Sequence, residues 1–241
     1  MFCWLNELYV SNDIVLDSEQ LGVLLYGTNA VGKSSLIKSI GIIVIMAQAG
    51  FYVPCSQFVF YPYKHIFTRI LGNDNLFKGL SSFAVEMLEL KTILSIADKD
   101  SLVLGDELCS GTESNSAMSI FISGIQHLYQ QKSNFIFATH FHEIVDYEEV
   151  EDMNLMSLMH MSVHYNKEKE KLVYDRKLRE GPGETMYGLE VCKALHLPHE
   201  FLENAYALRN KYNPKTGSML EWKTSRYNSK KIRGLCEECQ S

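Results

Sequence analysis

The stretch from Leu21 to Ser39, LGVLLYGTNAVGKSSLIKS, decides the fold of this chain. Its apolar residues 21–26 predict a buried strand that ends in a turn bounded by Gly27 and Gly32. Lys33 then opens an apolar helical segment. In this order the glycines let backbone N–H groups surround a polyphosphate, and the helix N-terminus adds partial positive charge. The stretch therefore predicts a nucleoside triphosphate site, and the alternative is an ordinary turn in which the glycines only supply positive φ.

The chemistry of such a site gives roles to side chains on two segments. Lys33 would reach the β- and γ-phosphates, and the Ser34 hydroxyl would ligate Mg²⁺. Residues 101–106 predict a short apolar strand that ends in Asp106 and Glu107. If this strand is parallel to the first, Asp106 holds Mg²⁺ through water and Glu107 orients or deprotonates the attacking water. The alternative is that both acids are only turn residues.

A third polar group follows the apolar segment 134–140, which is another strand candidate and ends at His140. If this strand terminates over the same crevice, His140 is placed to sense a γ-phosphate. The alternative is a surface imidazole. His142, two positions further on, is interpreted as a surface residue.

The remaining patterns predict a mixed α/β domain. Strands are expected over the segments 65–71 and 158–178, of which the second is a hairpin around a charged turn, and the segment 8–16 is expected to be a strand or an edge segment. Helices are expected over the segments 33–50, 84–97, 114–130, 189–195 and 200–212. The segment 51–63, which contains several aromatic residues and two prolines, is expected to be irregular.

The periodicity of the helices also predicts which residues they bury. The first helix is apolar on nearly all sides and is expected to be buried beneath a parallel sheet. The second carries Glu86 and Glu89 between its apolar positions, which are Val85, Leu88, Ile93 and Ile96. The apolar face of the third is Met118, Phe121, Ile122, Ile125 and Leu128. The inward residues of the last helix are Phe201, Leu202, Ala205 and Leu208.

Composition and charge restrict the class of protein. The 241 residues suffice for one α/β domain with a small appendage, and a net charge of −6 gives no argument for nucleic-acid binding by the chain as a whole. Residues 211–233 form a basic tail in which Glu221 is the one acid. No targeting signal is readable, the longest apolar run is too short for a bilayer, and the cysteines are mostly scattered. We expect a soluble intracellular protein that contacts no membrane.

Several separated motifs together resemble one family, the MutS proteins of DNA mismatch repair, in their ABC-type ATPase domain. The resemblance covers residues 8–212. The motifs that carry it are GTNAVGKSS at 27–35, MAQAGFYVP at 46–54, IFTRI at 66–70, GLSSFAVEM at 79–87, SLVLGDELCSGTES at 101–114, FATHFHE at 137–143 and MYGLEVCKALHLP at 186–198. The first two resemble the phosphate loop and the end of the following helix. IFTRI followed by GLSSFAVEM resembles the signature region. The last three resemble the second nucleotide motif, the histidine switch and the helical end of the domain.

The resemblance implies a P-loop fold in which helices flank a mixed or parallel sheet, followed by a short helical region. It implies phosphate binding by Gly27, Thr28, Asn29, Ala30, Val31, Gly32, Lys33, Ser34 and Ser35, and adenine packing on Tyr9 and Val10. It implies that Asp106 and Ser34 bind Mg²⁺, and that Glu107, His140 and Lys33 catalyse ATP hydrolysis. Ser81 stands at the signature serine, which in this family contacts the γ-phosphate bound by the opposite subunit, so two composite sites need a dimer.

Two departures resemble one subfamily. Leu80 replaces the usual arginine before the signature serine, and GTES follows the acids where the bacterial repair protein has GTST. Both are similar to members from giant viruses and octocoral mitochondria, which carry an HNH nuclease after the ATPase, and this implies a viral or mitochondrial origin. Residues 1–212 are then the ATPase domain with its helical end at 184–212, and residues 213–241 are a basic linker with the truncated start of an HNH domain. Cys236 and Cys239 alone do not complete a tetrahedral zinc site, so no nuclease activity is expected.

The leading interpretation is Mg²⁺-dependent ATP binding and hydrolysis by the ATPase and dimerisation module of a MutS-like repair protein, without mismatch-recognition domains. The implied partners are ATP, a second copy or a MutS-like partner chain, and mismatched or damaged DNA in the context of the full protein. One alternative is a non-catalytic or partner-dependent dimerisation module of a split MutS protein. Another is a different ABC-class ATPase, although those generally carry an LSGGQ-like signature where this chain has GLSSFAVEM.

Overall fold

The computed structural model describes residues 10–27, 31–70, 82–109, 112–166, 171–183 and 188–212. The elements in chain order are β1 (Gly22–Tyr26), α1 (Lys33–Gln48), β2 (His65–Arg69), α2 (Ser82–Ile96), β3 (Ser101–Asp106), α3 (Ser114–Gln130), β4 (Asn134–Ala138), a 3₁₀ helix (His142–Asp146), α4 (Glu148–Glu151), β5 (Met156–Asn166), β6 (Lys171–Glu180), α5 (Gly188–Ala194) and α6 (His199–Tyr212). They fall into two compact units, one of residues 1–164 with 174–185 and the other of residues 165–173 with 186–241.

The strands form one sheet in the order β2-β3-β4-β1-β5-β6. The pairs β2 with β3, β3 with β4, β4 with β1, and β1 with β5 are all parallel. β5 and β6 are neighbours joined by residues 167–170 alone, and so short a connection requires antiparallel strands, since parallel strands need a long crossover. The predicted mixed sheet and the predicted hairpin are both confirmed.

The centre of the sheet is buried on both faces. Every residue of β1, β3 and β4 is buried, as expected for strands of a parallel sheet that helices cover on either side. Leu24, Val103 and Phe137 pack with residues of α2 and α3 on one face. Val23, Leu104 and Ile136 pack with α1 on the other. The core therefore lies in two layers, separated by the strands that precede the predicted site residues.

Two aromatic side chains of β4 lie over glycines of the neighbouring strands. Phe135 is paired in register with Gly22 of β1, and Phe137 is paired with Gly105 of β3. A Cβ atom added at either glycine would lie 2.2 Å from ring atoms of its phenylalanine, closer than any real contact. Each glycine thus leaves the space that its paired ring fills, which fixes the register of the three central strands.

The helix boundaries agree with the predictions, but three of the four predicted faces need correction. α1 buries one stripe and leaves Ile42 and Ile45 more than half exposed, so it is not buried on nearly all sides. α2 buries Leu90 and Ile93 while Leu88 is 53% exposed and Ile96 is 47% exposed. The α3 face is confirmed, since its five predicted residues Met118, Phe121, Ile122, Ile125 and Leu128 are all buried.

The face of α6 is the third correction. Leu202 is buried as predicted and Ala205 is half-buried, but Phe201 is 53% exposed and Leu208 is 48% exposed. A helix of 14 residues with one buried side chain rests on a narrow contact, so the apolar pattern overestimates its buried face.

Of the two predictions for the segment 8–16, a strand or an edge segment, the strand is wrong over the described part, since residues 10–16 form no strand. The side chain of Asn12 takes the place of backbone pairing. Its Nδ2 donates to the Arg176 carbonyl at 2.9 Å, and its Oδ1 accepts from the Leu178 N–H at 2.7 Å. The Lys177 ammonium also donates to the carbonyl of Ser11.

Within the described residues, no helix is long and apolar enough to cross a membrane.

Candidate phosphate-binding site

The residues predicted to bind phosphate and metal follow three adjacent parallel strands. Gly27 follows β1, Asp106 ends β3, and His140 stands two residues after β4, which lies between the other two strands. Because the carboxyl ends of parallel strands meet at one edge of the sheet, the three chain segments converge there. The predicted parallel arrangement of β1, β3 and β4, the strands that lead to Lys33, Asp106 and His140, is confirmed.

The turn before α1 has the backbone that its glycines permit. Gly27 has φ 147° and Gly32, the N-cap residue, has φ 108°, both in the region that side chains avoid. Lys33 is 5% exposed and its ammonium donates to the Gly27 carbonyl at 2.5 Å. Burial lowers the pKa of Lys33, while the carboxylates of Glu107 and Asp106 oppose that shift. The lysine therefore lies inside the turn and close to both acids.

Asp106 presents a buried carboxylate oxygen that suits a cation. The residue is 4% exposed, and no group in the described part of the chain forms a hydrogen bond with its Oδ1. A buried carboxylate normally has a partner, and Mg²⁺ is commonly held by one or two carboxylates together with substrate phosphates. The described residues contain no cluster of three or more His, Cys, Asp or Glu side chains that could form a metal cage on its own. The donor set thus fits a magnesium ion shared with a phosphate.

Glu107 and His140 contact each other directly. His140 Nε2 lies 2.5 Å from Glu107 Oε1, and a carboxylate can only accept, so Nε2 carries the proton in this contact. Glu107 has φ 53°, an uncommon value for a residue with a side chain, and its N–H donates to the Ala138 carbonyl at 3.0 Å. The Glu107 side chain is 26% exposed and that of His140 is 39% exposed, so both reach solvent.

His142 is a site neighbour that sequence reasoning missed. The prediction of a surface residue is wrong, because its ring lies 5.3 Å from that of the fully buried Tyr26, and its Nδ1 is buried without a hydrogen bond to any described group. Burial lowers the pKa of His142; Glu143 opposes the shift, and the positive charges of His140 and Lys33 add to it. The sequence offered one signal for this position: His142 stands two residues after His140, which was already predicted to lie at the site beyond β4.

The turn after Glu107 also buries a thiol. Cys109 is fully buried, and burial, with a smaller contribution from the charge of Glu86, raises its pKa to about 12. At pH 8 we expect about one Cys109 side chain in 10⁴ to be the reactive thiolate. Iodoacetamide should therefore modify the exposed Cys55 and spare Cys109 until the protein unfolds, which peptide mapping by mass spectrometry can measure. Equal rates at Cys55 and Cys109 in the folded protein would contradict this environment.

The other predicted site residues are only partly covered by the described structure. Thr28, Asn29, Ala30, Tyr9 and Ser81 lie outside the described residues, as do Cys236 and Cys239. Val31 is buried in the core beneath α1, which leaves its backbone for a ligand, while Ser34 is half-buried and Ser35 is exposed. Val10 is half-buried at the start of the described chain, and no described contact joins it to the turn.

Comparison with known proteins places these features in one family. The model of MutS domain V matches residues 23–213, which include all of β1 except Gly22, the other described strands and the whole of the turn. The chain belongs to the MutS family. The MutS resemblance of the sequence motifs is confirmed by this match.

Individual MutS relatives agree with the family match. The chain is 39% identical to a mutS homolog of Acanthamoeba polyphaga mimivirus over 94% of its own length and 20% of the relative. It is 38% identical to the mitochondrial DNA mismatch repair protein mutS homolog of Sarcophyton glaucum, over 97% of the chain and 23% of the relative. The DNA mismatch repair protein MutS of Listeria monocytogenes is 35% identical over 83% of the chain and 23% of the relative. The chain therefore spans about a fifth to a quarter of the length of these MutS relatives.

Proposed function

We propose that this chain is a Mg²⁺-dependent ATPase and the dimerisation module of a MutS-like mismatch repair protein, with an ABC-type P-loop fold. The observation that carries the proposal is the convergence of Lys33, Asp106, Glu107 and His140 at the carboxyl ends of β1, β3 and β4. A buried lysine inside a glycine turn, with two carboxylates close by, is the arrangement that phosphoryl transfer to water requires.

Each described side chain has a role in this mechanism. Lys33 would exchange its contact with the Gly27 carbonyl for the β- and γ-phosphates and neutralise their charge. Asp106 would hold the Mg²⁺ ion with Ser34, and the ion would supply further charge neutralisation at the phosphates. Glu107 would orient the attacking water in line with the γ-phosphate, and His140, in contact with Glu107, would bind near that phosphate. Catalysis is then mostly positioning and electrostatic stabilisation.

The proposal includes a partner subunit. Phosphate contacts from residues 27–35, adenine packing on Tyr9 and Val10, and a contact from Ser81 to the nucleotide of the opposite subunit are the finer assignments, and they remain proposals. Recognition of mismatched or damaged DNA is proposed for a full-length assembly, because the chain spans only about a fifth to a quarter of its relatives. The two relatives from a giant virus and an octocoral mitochondrion support the proposed viral or mitochondrial origin. An HNH domain starting near Cys236 stays a prediction.

The rate of ATP hydrolysis against protein concentration tests this function. We expect the rate of phosphate release per chain to rise with protein concentration as the composite sites assemble. Lys33→Ala should lower this rate by about 10²-fold or more. Nucleotide binding without hydrolysis at every concentration would replace this proposal with the alternative of a partner-dependent dimerisation module. Hydrolysis that is independent of concentration, in a protein that sedimentation shows to be monomeric, would contradict the composite site.

A further inference from the structure

Glu86 is a buried acid on the face of α2 that otherwise buries apolar residues. It is 5% exposed and stands four and seven residues before the buried Leu90 and Ile93. Burying a carboxylate costs free energy unless charged or hydrogen-bonding groups surround it. An acid at a position where its helix buries apolar residues commonly marks a residue with a specific task.

The partners of Glu86 lie on two other segments. Its Oε1 accepts the backbone N–H of Cys109 at 2.8 Å in a buried contact. The same oxygen lies 3.9 Å from Nε of Arg69, the last residue of β2, and Nε lies 3.0 Å from Oε2 of Glu89. Glu86 is thus the point at which α2 contacts the turn after β3, with a positive charge beside it.

That turn carries two residues in an uncommon backbone conformation. Glu107 has φ 53° and Cys109 has φ 67°, and neither is a glycine. Such conformations persist where surrounding contacts determine them. Here the Glu107 N–H binds the Ala138 carbonyl and the Cys109 N–H binds Glu86, so one hydrogen bond stands at each end of the turn. The turn sets the direction of the Glu107 side chain, because its backbone dihedrals determine where Cβ points.

We propose that Glu86 is a positioning residue for Glu107, acting through the hydrogen bond from Cys109 N–H that fixes the turn between them. The role in hydrolysis rests on the proposed ATPase function. We expect the fold to persist without this bond, because Leu108 and Cys109 are also buried in the core cluster that includes residues of α3. Loss of the bond should therefore release the turn while leaving the nucleotide loop and α1 unchanged.

Three variants separate positioning from a general effect on folding. Glu86→Met removes the acceptor oxygens and keeps a side chain of similar length. Glu86→Gln keeps a carbonyl oxygen that can accept from Cys109 N–H. Glu89→Gln is the matched control, because Glu89 lies on the same helix and pairs with the same arginine, yet it is half exposed and the described structure shows no contact between it and the turn.

The measurements are kcat and Kd for Mg-ATP, and hydrogen exchange at the Cys109 amide. For Glu86→Met we expect kcat to fall about tenfold or more, Kd to stay within about twofold, and exchange to accelerate about tenfold. Glu86→Gln should restore kcat to within about threefold of the parent, and Glu89→Gln should stay within about twofold. A joint loss of kcat, affinity and thermal stability, with no rescue by glutamine, would show a merely structural acid and overturn the proposal.

Two failures are distinguishable by this design. If the unmodified protein does not hydrolyse ATP, the proposed function is wrong, and the positioning role of Glu86 in hydrolysis fails with it. If the protein is active but Glu86→Met leaves both kcat and Cys109 exchange unchanged, the ATPase stands and the positioning role is overturned.

Discussion

Replacing Glu107 by glutamine should lower kcat for ATP hydrolysis about 10²-fold or more, while the Kd for Mg-ATP changes by no more than about twofold. Glutamine keeps the length and polarity of the side chain but cannot accept a proton from the attacking water. Lys33 and Asp106, which carry the proposed phosphate and metal contacts, are unchanged in the variant, so binding should persist. Single-turnover phosphate release and fluorescent-nucleotide titration measure the two quantities.

Glu148→Gln provides the control for the Glu107 substitution, because it makes the same chemical change at an exposed acid of α4. We expect its kcat to equal that of the parent protein. Full turnover in Glu107→Gln would show that another group orients the water. A parallel loss of kcat and affinity would instead assign Glu107 to nucleotide binding.

Gly105→Ala should lower the free energy of unfolding by about 1–3 kcal/mol, the usual range for inserting a methyl group into a filled core. The new Cβ would lie 2.2 Å from the Phe137 ring, which is 2% exposed and packed in the core. Gly22→Ala meets Phe135 in the same way at the same distance and should show a similar loss. Urea denaturation followed by circular dichroism gives the values.

Gly124→Ala is the matched substitution at a buried glycine without such a clash. The added Cβ would lie 3.9 Å from the nearest atom of Leu90, an ordinary contact, and Gly124 is inside α3. Alanine in a helix is more stabilising than glycine by about 1 kcal/mol, so this variant should be at least as stable as the parent protein. If all three glycine variants were equally stable, the pairing of ring and glycine would not determine the register.

The order and type of elements were predictable because their signals are local. The strand, turn and helix around Gly27 follow from consecutive residues, and the five buried residues of α3 follow from a regular spacing. The edge of the sheet at which Asp106 and His140 converge also followed, since parallel strands allow one arrangement of their ends. The sequence motifs added the family, which the match over residues 23–213 confirms.

What sequence reasoning missed depends on contacts between distant segments. The buried side of α2 includes Glu86, whose hydrogen-bond partner Cys109 is 23 residues further along the chain. The positive φ of Glu107 is likewise set by tertiary contacts, since no glycine marks it. His142 packs on Tyr26 from another strand end, and no periodicity relates the two. Only the folded chain shows these pairs.

The contacts of Asn12 have a consequence for how the chain can associate. β6 is the last strand of the sheet, and an unprotected last strand offers its free backbone groups to any other extended chain. Asn12 occupies one carbonyl and one N–H near the middle of that strand, and its side chain cannot propagate a ladder further. Another strand that paired with β6 at residues 176–178 would therefore have to displace Asn12 from both of these backbone groups.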